Sequence, residues 1–419
     1  MTVTSRPGTR RAGALLPVLA AALLVVTGGP AVPVAAQPAT DQDLPEAHQQ
    51  LAPLAADQAW ELSTGAGVVV AVLDSGVDAE HPDLAGRVLP GRDYVDGSTD
   101  GRVDPVGHGT TVASLIAGAG DPVTGLAPDA RILPVRVLDE QNRYENAATV
   151  AAGVVWAVDQ GAQVINLSLG GSRESSSLAD ALAYAMARDV VVVACTGNAT
   201  GDYTEVWYPA REPGVVAVSG LVFSNGTPAA WPESLIGPAT VLAAPAVLTG
   251  ARAGGGYRPV QGTSFSAAVV AGTAALIRAR WPQLSAGEVV NRLVATAEHL
   301  GAPGRNPVFG FGAVDPVGAL TEPVPPVRGN PLDTKARGSV AAGLGAAPDA
   351  AGRIIAPEAV TARTAAPDGQ PAGGAGDERA VTAPDRSAAE LVWVLIGFVG
   401  LLAIAVLLRA GLPARQRRD

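Results

Sequence analysis

The sequence has 419 residues, a formal net charge of −10 and a single cysteine, Cys195. A lone cysteine excludes an intrachain disulfide and argues against a thiolate metal site, and the acidic balance argues against a nucleic-acid partner. We interpret Cys195 as an inert buried residue. The fold must therefore rest on burial of a hydrophobic core, for which a region of about 250 residues is large enough.

The first segment, residues 1–36, has the pattern of a secretory signal peptide. Arginines supply a positive start, an apolar stretch covers residues 12–26, and small residues offer a cleavage site before Gln37. One alternative is an uncleaved membrane anchor. The Arg10-Arg11 pair also hints at twin-arginine export, although the residues after it favour the general secretory route.

The central segment, residues 65–320, has the pattern of an α/β domain. Apolar, β-branched runs such as residues 68–73 alternate with stretches of helical periodicity such as residues 147–160. Continuous apolar strands separated by helices predict a mainly parallel sheet with helices on both faces, which is a three-layer domain. The preceding residues 37–64 form a short extension that is too small for an independently folded pro-domain.

The residues after the domain divide into three segments. Residues 321–388 are rich in Pro, Ala and Gly and poor in large apolar residues, which predicts a disordered tether. Residues 389–409 include 18 consecutive uncharged residues, 391–408, which makes them a transmembrane helix candidate. The basic tail, residues 410–419, predicts a cytoplasmic C-terminus. We therefore predict a single-pass protein of the cell membrane whose α/β domain is extracytoplasmic.

Four short segments within the domain carry residues that suit nucleophilic catalysis. Asp74 ends a predicted buried strand, where the sites of parallel sheets gather, and His108 lies between two glycines at a helix start. Asn198 follows another strand, where an amide N–H can stabilise developing negative charge. Ser264 opens a helix, whose N-terminus favours negative charge. Taken singly, each residue has an ordinary alternative as a turn former or a helix cap.

The sequence has four histidines, and each is a candidate general base. His81 is the main rival of His108, but Pro82 fixes it in an extended or turn segment, and we interpret it as structural. No two histidines stand at the spacing of ligands on one helix, so a metal-dependent hydrolase has little support.

Taken together, the segments VAVLDSG, GHGTTVA, ACTGN and GTSFSAAVVAG resemble the subtilisin-like serine proteases, the subtilases, in the family's order. The resemblance covers roughly residues 55–320 and implies a subtilisin-like fold and a serine endopeptidase. It implies a catalytic set with an oxyanion donor, namely Asp74, His108, Ser264 and Asn198. It also implies an edge segment that pairs with the substrate backbone, unless that segment is a plain strand exit, namely Ser168, Leu169 and Gly170.

The order of segments along the whole chain resembles the mycosins, which are membrane-anchored subtilases associated with type VII secretion in actinobacteria. This resemblance implies protein or peptide substrates and a link to a type VII secretion complex. Two alternatives stay open: a structural component that stabilises a membrane secretion complex, and a general cell-surface subtilase. The reaction implied requires no cofactor. Structural calcium is common in subtilases, but no acidic loop of this sequence is diagnostic of it.

Overall fold

The computed structural model describes residues 49–120, 123–199, 204–224 and 226–334. The predicted signal peptide, transmembrane helix and basic tail lie outside the described residues, as does most of the predicted tether. Among the helices of the described ranges, none is long and apolar enough to cross a membrane.

Eight strands form the central sheet: β1 (Val69–Asp74), β2 (Arg92–Asp93), β3 (Arg131–Arg136), β4 (Val164–Leu167), β5 (Val191–Cys195), β6 (Val216–Ser224), β7 (Thr227–Ala230) and β8 (Leu242–Pro245). Their order is β2-β3-β1-β4-β5-β6-β7, and β8 also pairs with β6. All neighbours run parallel except β6 and β7, which run antiparallel. The predicted mainly parallel sheet is confirmed. A separate antiparallel hairpin consists of β9 (Val247–Ala251) and β10 (Tyr257–Gln261).

A 3₁₀-helix (Gln49–Leu54) and seven α-helices accompany these strands in the described ranges: α1 (Ala56–Trp60), α2 (His108–Ala117), α3 (Ala147–Asp159), α4 (Ser176–Ala187), α5 (Thr263–Arg280), α6 (Ala286–Ala295) and α7 (Pro316–Thr321). A Cβ placed on Gly153 of α3 would lie 3.3 Å from Leu73 Cδ2, whereas one on Gly109 of α2 would lie 3.0 Å from Asp74 Cβ. Successive side chains of a strand point to opposite faces. Helices α2 and α3 therefore cover opposite faces of the sheet, as the three-layer prediction requires.

The strands are buried as continuous apolar runs. Val70, Ala71 and Leu73 of β1 have no exposed surface, and burying a Val or Leu side chain contributes about 1.5–3 kcal/mol relative to exposure. Cys195, at the end of β5, is also buried. Burial raises the pKa of its thiol to about 11, so the thiol stays protonated at neutral pH. Core burial therefore stabilises this domain without an intrachain disulfide.

The described part of the N-terminal extension packs onto the domain. Leu51 and Leu54 join the hydrophobic core. The side-chain amide of Gln50 pairs with the backbone of Thr249 in β9: Nε2 donates to the carbonyl oxygen at 3.1 Å, and Oε1 accepts from the N–H at 2.7 Å. Residues 49–62 are therefore part of the same folded body.

The first residues of the predicted tether are also attached to the domain. Asn330 Nδ2 donates to the carbonyl of Gly214 at 2.7 Å, and the Gly214 N–H donates to the carbonyl of Leu332 at 3.1 Å. Composition assigned residues 321–388 to the tether because they have few large apolar residues, but Thr321 ends α7 and residues 322–334 are attached to the domain. Polar contacts hold them, and Leu332 packs against the hydrophobic core, which overall composition does not record.

Candidate active site

Three strands deliver predicted site residues to one edge of the sheet. Asp74 ends β1, Ser168 follows β4 directly, and Asn198 follows β5 by three residues. Because these strands are parallel, their carboxyl ends meet at the same edge, where sites of open α/β sheets lie. A small cavity of about 50 Å³ opens there, and its lining includes His108, Asn198 and Ser264.

Asp74 and His108 form a direct hydrogen-bonded pair. His108 Nδ1 lies 2.7 Å from Asp74 Oδ1 and 3.0 Å from Asp74 Oδ2, and the Asp74 side chain has no exposed surface. An ionised carboxylate only accepts hydrogen bonds, so Nδ1 must carry the proton. The neutral imidazole therefore has its acceptor lone pair on Nε2.

Glycines allow the helix of His108 to approach Asp74 this closely. A Cβ on Gly109 would lie 2.0 Å from the carbonyl oxygen of Gly76, a distance at which the backbone would have to move. Gly107, which precedes the helix, has φ 86°, a left-handed conformation that favours glycine. The glycines that flank His108 thus set the distance of the Asp–His pair.

The surroundings of His108 raise its pKa above the ordinary value of 6.5. Burial by itself lowers the pKa of the imidazole. The charge of Asp74 and its hydrogen bond raise this pKa, the charge of Asp104 adds to them, and Arg258 opposes them. The two carboxylates outweigh the cost of burial, so the protonated imidazolium is stabilised.

Asp104 and Ser75 support this pair, and neither residue was predicted from the sequence. Asp104 Oδ1 accepts hydrogen bonds from Ser75 Oγ at 2.9 Å and from the Gly107 N–H at 2.7 Å. Its Oδ2 accepts from the Thr110 N–H at 2.8 Å and from the Thr110 hydroxyl at 2.6 Å. The sequence does show the Asp104 carboxylate shortly before the start of a helix, but an aspartate in that place is ordinarily a helix cap.

Ser264 is the second residue of α5 and is 8% exposed. Gly262, which precedes the helix, has φ 149°. Ser264 Oγ donates to the carbonyl of Ser168 at 3.3 Å, and Ser168 Oγ donates to the carbonyl of Ser264 at 2.8 Å. Asn166 Nδ2 donates to Ser168 Oγ at 2.9 Å. The exit of β4 therefore holds the backbone of Ser264 from beneath.

The amide of Asn198 has a fixed orientation beside Ser264. Its Oδ1 accepts from the Thr263 N–H at 3.1 Å and from the Thr263 hydroxyl at 3.0 Å. With the oxygen held by the start of α5, the donor atom Nδ2 lies on the other side of the amide. Asn198 lines the same cavity as Ser264, so this geometry suits donation to an oxygen bound there.

The remaining predicted residues lie as follows. Ser168, Leu169 and Gly170 form the buried segment that follows β4 beside Ser264, and pairing of this segment with a substrate stays a prediction.

His81 Nδ1 accepts from the Asp83 N–H at 3.2 Å, and its Nε2 lies 3.1 Å from the carbonyl of Gly256. Because both ring nitrogens anchor loops, these contacts fit the structural interpretation of His81.

The described ranges contain no group of three or more His, Cys, Asp or Glu side chains that could hold a metal ion.

Comparison with known proteins identifies the family of the chain. Residues 65–312 match the profile of the subtilase family. Mycosin-1 of Mycobacterium tuberculosis is 36% identical over 329 residues, which covers 64% of this chain and 72% of mycosin-1. Fervidolysin of Fervidobacterium pennivorans is 34% identical over 298 residues, and the match covers 64% of this chain but only 42% of fervidolysin. The crystal structure of MycP1 with its N-terminal propeptide removed superposes with a TM-score of 0.59 at 34% identity, covering 66% of this chain and 98% of that one.

The fold and the matched residues define a subtilisin-like serine endopeptidase, and the chain belongs to the subtilase family. Within that family it is similar to the mycosins, both in sequence and in structure.

Proposed function

We propose that Asp74, His108 and Ser264 are the catalytic triad of this subtilase and that Asn198 is its oxyanion donor. The single observation that carries the proposal is the buried Asp74–His108 hydrogen bond of 2.7 Å, at a cavity that Ser264 and Asn198 also line. A triad is recognised by such geometry rather than by sequence position.

The proposed reaction begins when the Ser264 hydroxyl exchanges the Ser168 carbonyl for His108 Nε2 as its acceptor. Ser264 Oγ then attacks the scissile carbonyl while His108 takes its proton, and Asp74 stabilises the imidazolium. Asn198 Nδ2 and the Ser264 N–H donate to the oxyanion. His108 passes the proton to the leaving amine, and a water activated by His108 then hydrolyses the acyl–Ser264 ester, which regenerates the hydroxyl.

The experiment that tests the proposal is labelling of the full chain with a fluorophosphonate, followed by mass spectrometry of the labelled peptide. We expect the phosphonyl group on Ser264. Ser266 is the matched control, because it lies two residues further along α5 and its hydroxyl donates to the carbonyl of Pro245. A label on Ser266, or none on the folded chain, would contradict the assignment.

Asn198→Ala is expected to lower kcat by about 10²–10³ with little change in KM, the scale measured for an oxyanion asparagine in a subtilisin. The reason is that the amide donates only where negative charge develops. Steady-state kinetics on a peptide substrate measure both constants, and the melting temperature controls for folding. A rise in KM at constant kcat would show instead that Asn198 binds the ground state.

The pH dependence of kcat/KM is expected to show an acid limb above pH 6.5. His108 must be neutral to accept the proton, and its pKa is raised, so activity falls as the pH drops through that raised pKa. The same shift favours the folded chain below pH 6.5, and this stabilisation is lost as the pH rises through the raised pKa.

Two variants test the cause of this shift because their expected effects have opposite signs. Asp104→Asn removes a negative charge and should move the acid limb to lower pH. Arg258→Gln removes a positive charge and should move it to higher pH. A loss of folding would not produce opposite shifts. If the acid limbs of the two variants moved in the same direction, this electrostatic account would be contradicted.

We further propose that the protease domain is extracytoplasmic, tethered to the cell membrane, and linked to a type VII secretion system. Support comes from the signal-like residues 1–36, from the uncharged run 391–408, and from the similarity to structures described as MycP1 of the ESX-1 and MycP3 of the ESX-3 type VII secretion systems. Its substrates would then be secreted proteins or components of the complex.

A secretion assay separates this role from the two alternatives. Strains that carry the wild-type gene, a deletion or Ser264→Ala are compared for export of type VII substrates. Loss of export in both mutant strains indicates that proteolysis is required. Loss only in the deletion strain indicates a structural component of the complex, and normal export in both indicates a general cell-surface subtilase.

A further inference from the structure

Trp207 occupies a recess between the segments that follow β4 and β5, at Gly170 and Gly197. A Cβ placed on Gly197 would lie 2.3 Å from Trp207 Cδ2, and one placed on Gly170 would lie 3.0 Å from Trp207 Cβ. The tryptophan is 3% exposed. Its indole therefore packs directly on the backbone of one strand exit, and its Cβ packs on the backbone of the other.

Backbone hydrogen bonds hold Trp207 in this position from both sides. The Trp207 N–H donates to the carbonyl of Thr196 at 2.9 Å, beyond the end of β5. The next residue, Tyr208, exchanges two backbone hydrogen bonds with Gly171 beyond β4, at 2.8 and 2.9 Å. The backbone at Trp207 therefore joins the segments that follow β4 and β5, which form the two walls of the recess.

Trp207 lies on the acyl side of the proposed site. His108 delivers its proton to the leaving amine, so His108 and the neighbouring Phe265, with ring centroids 5.7 Å apart, flank the leaving group. Trp207 contacts Gly170 of the predicted substrate-pairing segment and Gly197 beside the oxyanion donor. When a substrate pairs with this segment as predicted, the residue whose carbonyl is attacked directs its side chain into the recess that Trp207 fills.

Little space is left in that recess. The cavity that Trp207 lines together with His108, Asn198 and Ser264 measures about 50 Å³. This volume is the space through which the centre of a water-sized sphere can move, and one water needs about 10–15 Å³ by that measure. The space left beside Trp207 therefore amounts to a few waters.

We propose that Trp207 restricts this protease to substrates with a small residue, glycine, alanine or serine, on the acyl side of the scissile bond. The proposal deepens the proposed function and rests on it. Trp207 acts here as a specificity-determining residue that shapes the recess, and it takes no part in the chemical steps.

The test uses the full chain and two chromogenic peptide anilides that differ only in the residue before the scissile bond, alanine or phenylalanine. We expect the wild type to have a kcat/KM at least ~10-fold higher for the alanine substrate, a ratio that side-chain size can supply. Trp207→Gly should reverse this preference or lower the ratio at least ~10-fold, because it opens the recess. Trp156→Ala is the control, since Trp156 lies on α3 and outside the cavity lining, and it should keep the wild-type ratio.

Fluorophosphonate titration of every variant separates failure of this proposal from failure of the proposed function. If the wild type does not react with the probe, the triad assignment fails. If it reacts and cleaves both substrates equally well, the role of Trp207 is refuted. An unchanged ratio in a reactive Trp207→Gly chain refutes it as well. If Trp207→Gly does not fold, Trp207→Val, which also lacks the ring, gives the same comparison.

Discussion

Ser264→Ala is expected to lower kcat by about 10⁶, the scale found when the serine of a subtilisin is removed. Without Oγ no acyl-enzyme can form, and the residual activity comes from the oxyanion donors and from substrate binding. Ser264 Oγ donates to the Ser168 carbonyl at 3.3 Å, which is a long hydrogen bond, and alanine suits a helix. The loss should therefore occur without a large change in the melting temperature.

Kinetics under single-turnover and steady-state conditions measure this effect. A trace of contaminating protease sets the lowest rate that can be assigned to the variant. Ser266→Ala, the neighbouring buried serine of α5, is the control and should keep kcat within a few-fold of the wild type. An activity of Ser264→Ala within tenfold of the wild type would exclude Ser264 as the nucleophile.

Asp74→Asn is expected to lower kcat by about 10⁴, as the equivalent change does in another serine protease. Asp74 Oδ1 and Oδ2 both lie within 3.0 Å of His108 Nδ1. An asparagine amide that donates toward Nδ1 favours the imidazole tautomer with its proton on Nε2. That tautomer has no lone pair with which to accept the proton of Ser264.

A second buried aspartate at the same edge of the sheet provides the control for this variant. Asp93 Oδ2 lies 2.9 Å from Arg136 Nη1, and both side chains are buried. Breaking a buried pair of this kind costs about 3–5 kcal/mol of folding free energy. Asp93→Asn should therefore lower the melting temperature but leave kcat of the folded enzyme nearly unchanged. An equal loss of kcat in both variants would mean that Asp74 acts only through stability.

The elements that carry the site were predictable because their signals are local. The apolar run before Asp74 and the glycines around His108 lie within a few residues of the side chains that they position. Parallel pairing of β1, β4 and β5 then brings together residues that are far apart in the chain. Each of these residues had an ordinary alternative when taken singly, and it was the resemblance of the four segments to the subtilases that joined Asp74, His108 and Ser264 into one predicted set.

The sequence could not reveal contacts that depend on packing between distant segments. Asp104 looks like a helix cap until its Oδ1 is seen to accept from Ser75 beside Asp74. Trp207 is one of six tryptophans, and only the approach of Gly170 and Gly197 shows that it fills a recess of the site. The attachment of residues 49–62 and 322–334 likewise depends on single polar bonds and a few buried leucines.

The docking of the N-terminal extension limits where the chain can be shortened. Gln50 holds β9 through Thr249, and β9 pairs along its length with β10, which leads directly to Gly262 and Ser264. From β10, Arg258 reaches back to the carbonyl of Gly107 at 3.0 Å, beside His108. A maturation cut before residue 49 leaves this connection intact, whereas a cut after Gln50 separates the extension from a hairpin that contacts the starts of α2 and α5.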